Sequence, residues 1–160
     1  MATIGFETHD HAHCISDGVA AADDMCRKTG LQLTPVRRRV LEILLQEHRA
    51  LGAYEILDFL RAEGLGSQPP VAYRALDFLV KHGLAHKIER LNAFAACAHP
   101  GESHAPVFMI CRICNAVAEA HTDPNAGQLG KVARDAGFLI ERTVVEAEGV
   151  CPKCRAETRA

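Results

Sequence analysis

The chain has 160 residues, 48% of them hydrophobic and 5% aromatic, with no Trp and a formal net charge of −2. That length suits one domain or two small ones with cores of Leu, Val, Ile and Ala, and no apolar run reaches the ~18 residues expected of a membrane helix. The first Lys or Arg is Arg27, which argues against a basic-led export signal, so seven cysteines predict a reducing, cytoplasmic setting. The charge is uneven: residues 1–26 carry five acids and no Lys or Arg, residues 27–90 eleven Lys and Arg against seven acids, and residues 91–160 seven against eight. A basic middle between acidic ends permits a nucleic-acid surface.

Residues 1–17 lack apolar periodicity and hold His9, His11, His13 and Cys14; they are expected to form a flexible His-rich tail, with an auxiliary metal site as the functional alternative. A first helix is predicted from about 18 to 29, stopped at Gly30. A second opens at Thr34-Pro35, where Thr can cap the exposed amides and Pro fits the first helical position. Val36, Val40, Ile43 and Leu44 then recur at helical spacing. A third runs from Ala53 to about Glu63 with Ile56, Leu57 and Leu60 inward. Asp58 and Arg61 lie one turn apart on its polar side, read as a surface pair. A fourth opens at Pro69-Pro70 and ends before Gly83. Its apolar stripe is Ala72, Leu76, Leu79 and Val80, leaving Tyr73, Arg74, Asp77 and Lys81 on the other face. Arg in the first turns can pair twice with guanine, and Tyr can reach a phosphate or a thymine methyl.

Leu84–Glu89 and Ala93–Cys97 read as a hairpin around Arg90-Leu91-Asn92. Helices followed by a hairpin make a winged helix-turn-helix, and Lys87 and Arg90 on the wing would sit near phosphate. Residues 98–106 read as a hinge. Val107–Ile110 and Ala116–Ala120 are predicted strands, a helix is expected from Asp123-Pro124 to about Asp135, and Phe138–Glu148 is the longest strand candidate. Its exposed edge could pair across a two-fold axis. The expected class is therefore α+β: a winged-helix domain over 18–97, then a small α/β dimerisation domain over 107–160.

Cys111-x-x-Cys114 and Cys151-x-x-Cys154 are two knuckles that can close one tetrahedral four-thiolate shell, the geometry of structural zinc. The competing readings are disulfides or a thiol redox switch. Between the halves stand His86, Cys97, His104 and Glu119, whose N, S and O donors suit zinc and disfavour Mg²⁺ or Ca²⁺; His99, Glu102 and His121 are nearby competitors.

Taken together, Leu33-Thr34-Pro35-x-Arg37, Ala53-Tyr54-Glu55-Ile56-Leu57, Pro69-Pro70-x-x-Tyr73-Arg74-Ala75-Leu76-Asp77 and the two knuckles resemble the ferric uptake regulator (Fur) family, and within it the zinc uptake regulator (Zur) branch. The resemblance covers roughly residues 18–157. It implies a cytoplasmic bacterial repressor, not an enzyme, that binds operator DNA as a metal-loaded homodimer and controls zinc uptake genes, with no membrane partner and no small-molecule substrate. By position it implies structural zinc at Cys111, Cys114, Cys151 and Cys154, regulatory zinc at His86, Cys97, His104 and Glu119, base reading by Tyr73 and Arg74, and a phosphate contact by Tyr54. Val71-Ala72 stands where the family usually has Thr-Val, and the His-His-x-His cluster of the iron and peroxide sensors is missing before Cys111. The alternatives are an iron- or peroxide-responsive member of the family and, from another class, a thiol redox-switch protein.

Overall fold

The computed structural model of the protein describes residue 6 and residues 11–47, 49–102, 105–123 and 125–159. His9 and His104, both named above, lie outside the described residues. The chain divides into two compact units, Glu7–Gly101 and Glu102–Ala160 with Met1–Phe6. The division falls within the predicted hinge segment 98–106.

The first unit contains α1 (His11–Thr29), α2 (Pro35–Gln46), α3 (Ala53–Ala62), α4 (Pro69–Lys81), β1 (Ala85–Ile88) and β2 (Ala93–Ala96). Helix α1 starts at His11, so residues 11–17, expected as tail, are helical. The inward stripe of that stretch is Cys14, Ile15, Gly18 and Val19. Two of these are Cys and Gly, too small or too weakly apolar to register as periodicity. Gly18 is functional in the packing: a Cβ there would meet Leu45 Cδ1 at 2.6 Å.

Helix α2 begins as its sequence dictates. The Thr34 hydroxyl accepts the Arg37 N–H at 3.4 Å and Pro35 fills the first turn. Val40, Leu41, Ile43 and Leu44 are buried on one face, each worth about 1.5–3 kcal/mol against exposure. They meet Ile56, Leu57 and Leu60 of α3 and Leu76 and Leu79 of α4 in one core. Gly83 (φ +71) turns the chain out of α4 and lets Leu84 N–H reach back to Leu79 O at 2.8 Å, a termination that favours glycine. Strands β1 and β2 pair antiparallel, Ala85 opposite Ala96 and Ile88 opposite Ala93, around a 3-10 turn at Glu89–Leu91 and a left-handed Asn92 (φ 46). Leu51 extends this wing by exchanging both backbone hydrogen bonds with Phe94, each 2.8 Å, which ties the entry to α3 to the hairpin.

The second unit is a three-stranded sheet, β4-β3-β5, with two helices. Strand β3 (Ala105–Cys111) pairs antiparallel with β4 (Val117–Thr122) and parallel with β5 (Val145–Gly149). Two expectations need correction. Helix α5 spans Gly127–Asp135 rather than starting at Asp123-Pro124: the Asp123 carboxylate accepts the Asn125 N–H at 2.9 Å, a local turn that competes with helix, and Gly127 (φ +77) then redirects the chain. The strand predicted over Phe138–Glu148 forms only at Val145–Gly149. Parallel pairing sets Val145 opposite Val107 and Gly149 opposite Cys111, and β3 begins at Ala105. In this register residues 138–142 fall before the start of β3. Helix α6 (Pro152–Arg159) follows the second knuckle; it was not foreseen, because its short polar stretch carries no apolar stripe.

Candidate metal centres and nucleic-acid interface

The four-cysteine cluster is assembled within the second unit. The end of β3 delivers Cys111, and the turn to β4 delivers Cys114: Asn115 takes a left-handed conformation (φ 58), its N–H bonds to Cys111 O at 2.9 Å, and Cys111 N–H bonds to Ala116 O at 2.9 Å. Gly149 O accepts Arg112 N–H at 2.9 Å, bringing the end of β5, and so Cys151 and Cys154, to the same place. All four sulfurs lie within 4.8 Å of one another. Cys114 Sγ is 3.8 Å from Cys151 Sγ, far beyond the ≈2.05 Å of a disulfide and equal to the edge of a tetrahedron with ~2.3 Å Zn–S bonds. None of the seven cysteines is in a disulfide. Backbone N–H groups of Cys114 and Cys151 directed at its sulfur bring the Cys111 thiol down to about 6. Burial, followed by the sulfurs of Cys151 and Cys114, pushes Cys154 up to about 12. A cluster that invites one thiolate and resists the next needs a cation to hold four, and soft thiolates select Zn²⁺ or an iron–sulfur centre over hard cations. The donor set fits zinc.

In the first unit His86 stands on β1 opposite Ala95, and Cys97 is buried just after β2, its N–H on Leu84 O at 3.0 Å. The two present their ligand atoms within 4.8 Å of each other, so the wing itself offers an N,S pair. In the second unit Glu119 lies on β4 opposite Phe108. It is 5% exposed, the one buried acid or base among the described residues. A carboxylate is tolerated in such surroundings when it is paired or ligates a cation. The competitors Glu102 and His121 are exposed.

The predicted DNA contacts all reach the surface of the first unit: Tyr54 on α3, Tyr73 and Arg74 on α4, Lys87 on β1 and Arg90 in the turn are exposed. Three of them share one feature. Tyr54, Tyr73 and Lys87 line a cavity of about 460 Å³ with Lys81, Asp77 and Asn92; Arg74 and Arg90 lie outside it. Phenols and ammonium groups around a groove suit a phosphodiester backbone. Sequence reasoning missed Asn92 as part of this wall, although an Asn at a hairpin tip is a signal for the left-handed turn it makes. It also missed Glu55, which lines the same cavity. Its Oε2 accepts the Gly52 N–H at 2.8 Å and its Oε1 the Arg49 guanidinium at 3.2 Å. The Gly52 amide first, then Arg49, hold this carboxyl below the usual range.

The model of the ferric uptake regulator family matches residues 28–147. The zinc uptake regulation protein of Escherichia coli (strain K12) is 34% identical over 137 residues, 85% of this chain and 80% of that protein. A solved zinc uptake regulator complexed with zinc and DNA gives a TM-score of 0.84 at 32% identity, covering 91% of this chain and 98% of that one. The holo form of XcZur gives 0.77 at 38% identity, covering 88% and 98%.

Proposed function

This chain belongs to the ferric uptake regulator family, and from that premise we infer that it is a zinc-responsive repressor that binds operator DNA as a homodimer and controls zinc uptake genes. The observation that carries the choice of zinc is its 34% identity, over 85% of the chain, to a zinc uptake regulation protein. The chain is a transcription regulator rather than an enzyme, and it acts in the cytoplasm, where its DNA is. No helix among the described residues is long and apolar enough to cross a membrane.

Each subunit takes two zinc ions in this reading. Cys111, Cys114, Cys151 and Cys154 hold a structural one, whose shell has no open position. His86, Cys97, His104 and Glu119 hold the regulatory one. Zinc supplies there a compact tetrahedral cross-link among soft and borderline donors. His86 and Cys97 come from the DNA-binding side, and His104 and Glu119 from the dimerisation side. Holding all four restrains the hinge 98–106 and sets the separation of two recognition helices to operator half-sites about one DNA turn (~34 Å) apart. The second unit offers the pairing face, through the exposed Leu129 and Val132 of α5, Phe138, Leu139 and Val144 ahead of β5, and Val145 at its start. Tyr73 and Arg74 read bases while Tyr54, Lys87 and Arg90 engage phosphates. Zinc and operator affinities are then reciprocally linked, on the usual scale of roughly 1–3 kcal/mol.

The test is operator binding titrated against free zinc, iron and manganese, with metal content measured alongside. Zinc alone should restore tight binding, at two ions per subunit. Restoration by iron and not zinc would assign the chain to an iron sensor.

A further inference from the structure

The wall of the DNA-facing cavity contains an acid that ought to be unwelcome there. Glu55 is exposed and neighbours Tyr54, the proposed phosphate contact, on the first turn of α3. A free carboxylate within a few ångströms of a phosphodiester opposes binding. Here both of its oxygens are engaged: Oε2 takes the Gly52 N–H at 2.8 Å and Oε1 takes Arg49 Nη1 at 3.2 Å. The first contact is the reciprocal half of a capping box, satisfying an amide that the helix leaves open. Gly52 has no side chain to cap with, so Glu55 alone anchors this turn. The second contact reaches a segment that is itself fixed. Arg49 also bonds Glu47, and Leu51, two residues on, exchanges both backbone hydrogen bonds with Phe94 of the wing. Glu55 and Arg49 therefore form the corner at which the wing meets the N-terminus of α3, and Tyr54 projects from that corner into the cavity it shares with Tyr73 and Lys87. As an ion pair between side chains 42% and 51% exposed, this contact adds little to stability. Its position is what distinguishes it.

We propose that Glu55 and Arg49 are positioning residues for operator binding: they fix the first turn of α3 so that the Tyr54 hydroxyl meets the DNA backbone, while Arg49 cancels the charge that Glu55 would otherwise turn toward phosphate. This rests on the reading of Tyr54 as a phosphate contact.

The test is a double-mutant cycle of Tyr54→Phe and Glu55→Ala in the zinc-loaded full chain. The probe is a duplex enriched from a random-sequence library on the wild-type protein. Each single variant should weaken binding about five- to tenfold, and the double variant no more than either alone, the coupling expected of residues acting as a unit. Glu55→Gln keeps an acceptor for the Gly52 amide and should restore wild-type affinity. Arg49→Gln leaves the cap intact but uncovers the Glu55 charge, and should weaken binding by a deficit relative to wild type that narrows as salt rises. Additive losses in the cycle, with Tyr54→Phe itself weakened, overturn the positioning role and leave the Tyr54 contact standing. A Tyr54→Phe variant that binds as wild type overturns both. Should Glu55→Ala fail to fold, as circular dichroism would show, Glu55→Asp, which keeps the charge but shortens the reach to the Gly52 amide, takes its place in the cycle with Tyr54→Phe, and additivity there overturns the proposal equally.

Discussion

The two units complete their cores in different ways. In the first, four helices and the hairpin bury Val40, Ile43, Leu44, Leu51, Ile56, Leu57, Leu60, Leu76 and Leu79 almost entirely. Two of the large apolar side chains it leaves outside, Tyr54 and Tyr73, carry hydroxyls and line the proposed DNA groove. The second unit closes one end with cysteines, Cys111, Cys151 and Cys154 being its packed cluster there, with Phe6 and Val150 against them. It leaves Leu129, Val132, Phe138, Leu139, Val144 and Val145 exposed. So many exposed large apolar side chains on a small unit are candidates for an interface. One half is thus held by its own hydrophobic core, and in the proposed reading the other is finished by a metal and a second copy of itself.

The sharpest way to break that contrast is to remove a thiolate. Cys151→Ala should abolish folding of the second unit, since structural zinc contributes apparent binding energies of about 10–16 kcal/mol. The variant should lose one zinc per subunit and its dimer while the helical circular dichroism of the first unit persists. A stable dimer with unchanged zinc content would show that the sheet suffices without the cluster. Next in size is Leu139→Lys, which places a charge among the exposed apolar residues of the second unit. If these residues form the pairing face, burying an unpaired ammonium should cost about 2–4 kcal/mol of dimer affinity. Sedimentation would then show monomer at concentrations where the wild type is dimeric, with both units still folded.

Sequence legibility followed the same divide. The first unit was readable because local signals agreed with the fold: Thr34-Pro35 marks a helix start, Gly83 an end, and the stripes of α2, α3 and α4 are buried as spaced. Only α1 ran longer than its pattern, because Cys14 and Gly18 pack without looking apolar. In the second unit the knuckles were legible from spacing alone. The extents of α5 and β5 were not, because one is set by a side-chain turn at Asp123 and the other by where β3 ends, which no local pattern encodes. At the candidate sites, exposure of Tyr73, Arg74, Lys87 and Arg90 followed from helical and hairpin periodicity, whereas Tyr54 was marked out only by the family resemblance. The engagement of Glu55 by Gly52 and Arg49 depends on a contact to the preceding loop, and residue spacing is silent on that.

Cys97→Ala addresses the proposed link between the two halves rather than either core. It removes the thiolate that stands beside His86 and should erase zinc-dependent operator binding, a loss of roughly 1–3 kcal/mol, while leaving dimer and first unit folded. Full repression by this variant, with regulatory zinc still bound, would remove Cys97 from the sensing set.

The smallest effect concerns how the first unit is held apart from its apolar core. Arg39 on α2 forks Glu63, just past α3, with Nε–Oε2 and Nη2–Oε1 both at 2.7 Å, and also reaches Glu42 at 3.0 Å. The Arg39 hydrogen bond holds the Glu63 carboxyl below the usual range, and the same bond raises the Arg39 pKa. A carboxyl with a depressed folded pKa adds stability that is complete above its unfolded value, near 4.3, and is lost as pH falls through the folded value. Glu63→Gln should therefore lower the Tm slightly and by a constant amount from pH 7 to pH 5, and the gap from wild type should close as pH drops below about 4. Solvent screening keeps the effect small at this exposed site, and added salt should shrink it further. A gap that persists at low pH would mean that Glu63 holds α2 to α3 by packing and neutral hydrogen bonding, and that even the polar rim of this unit is independent of charge.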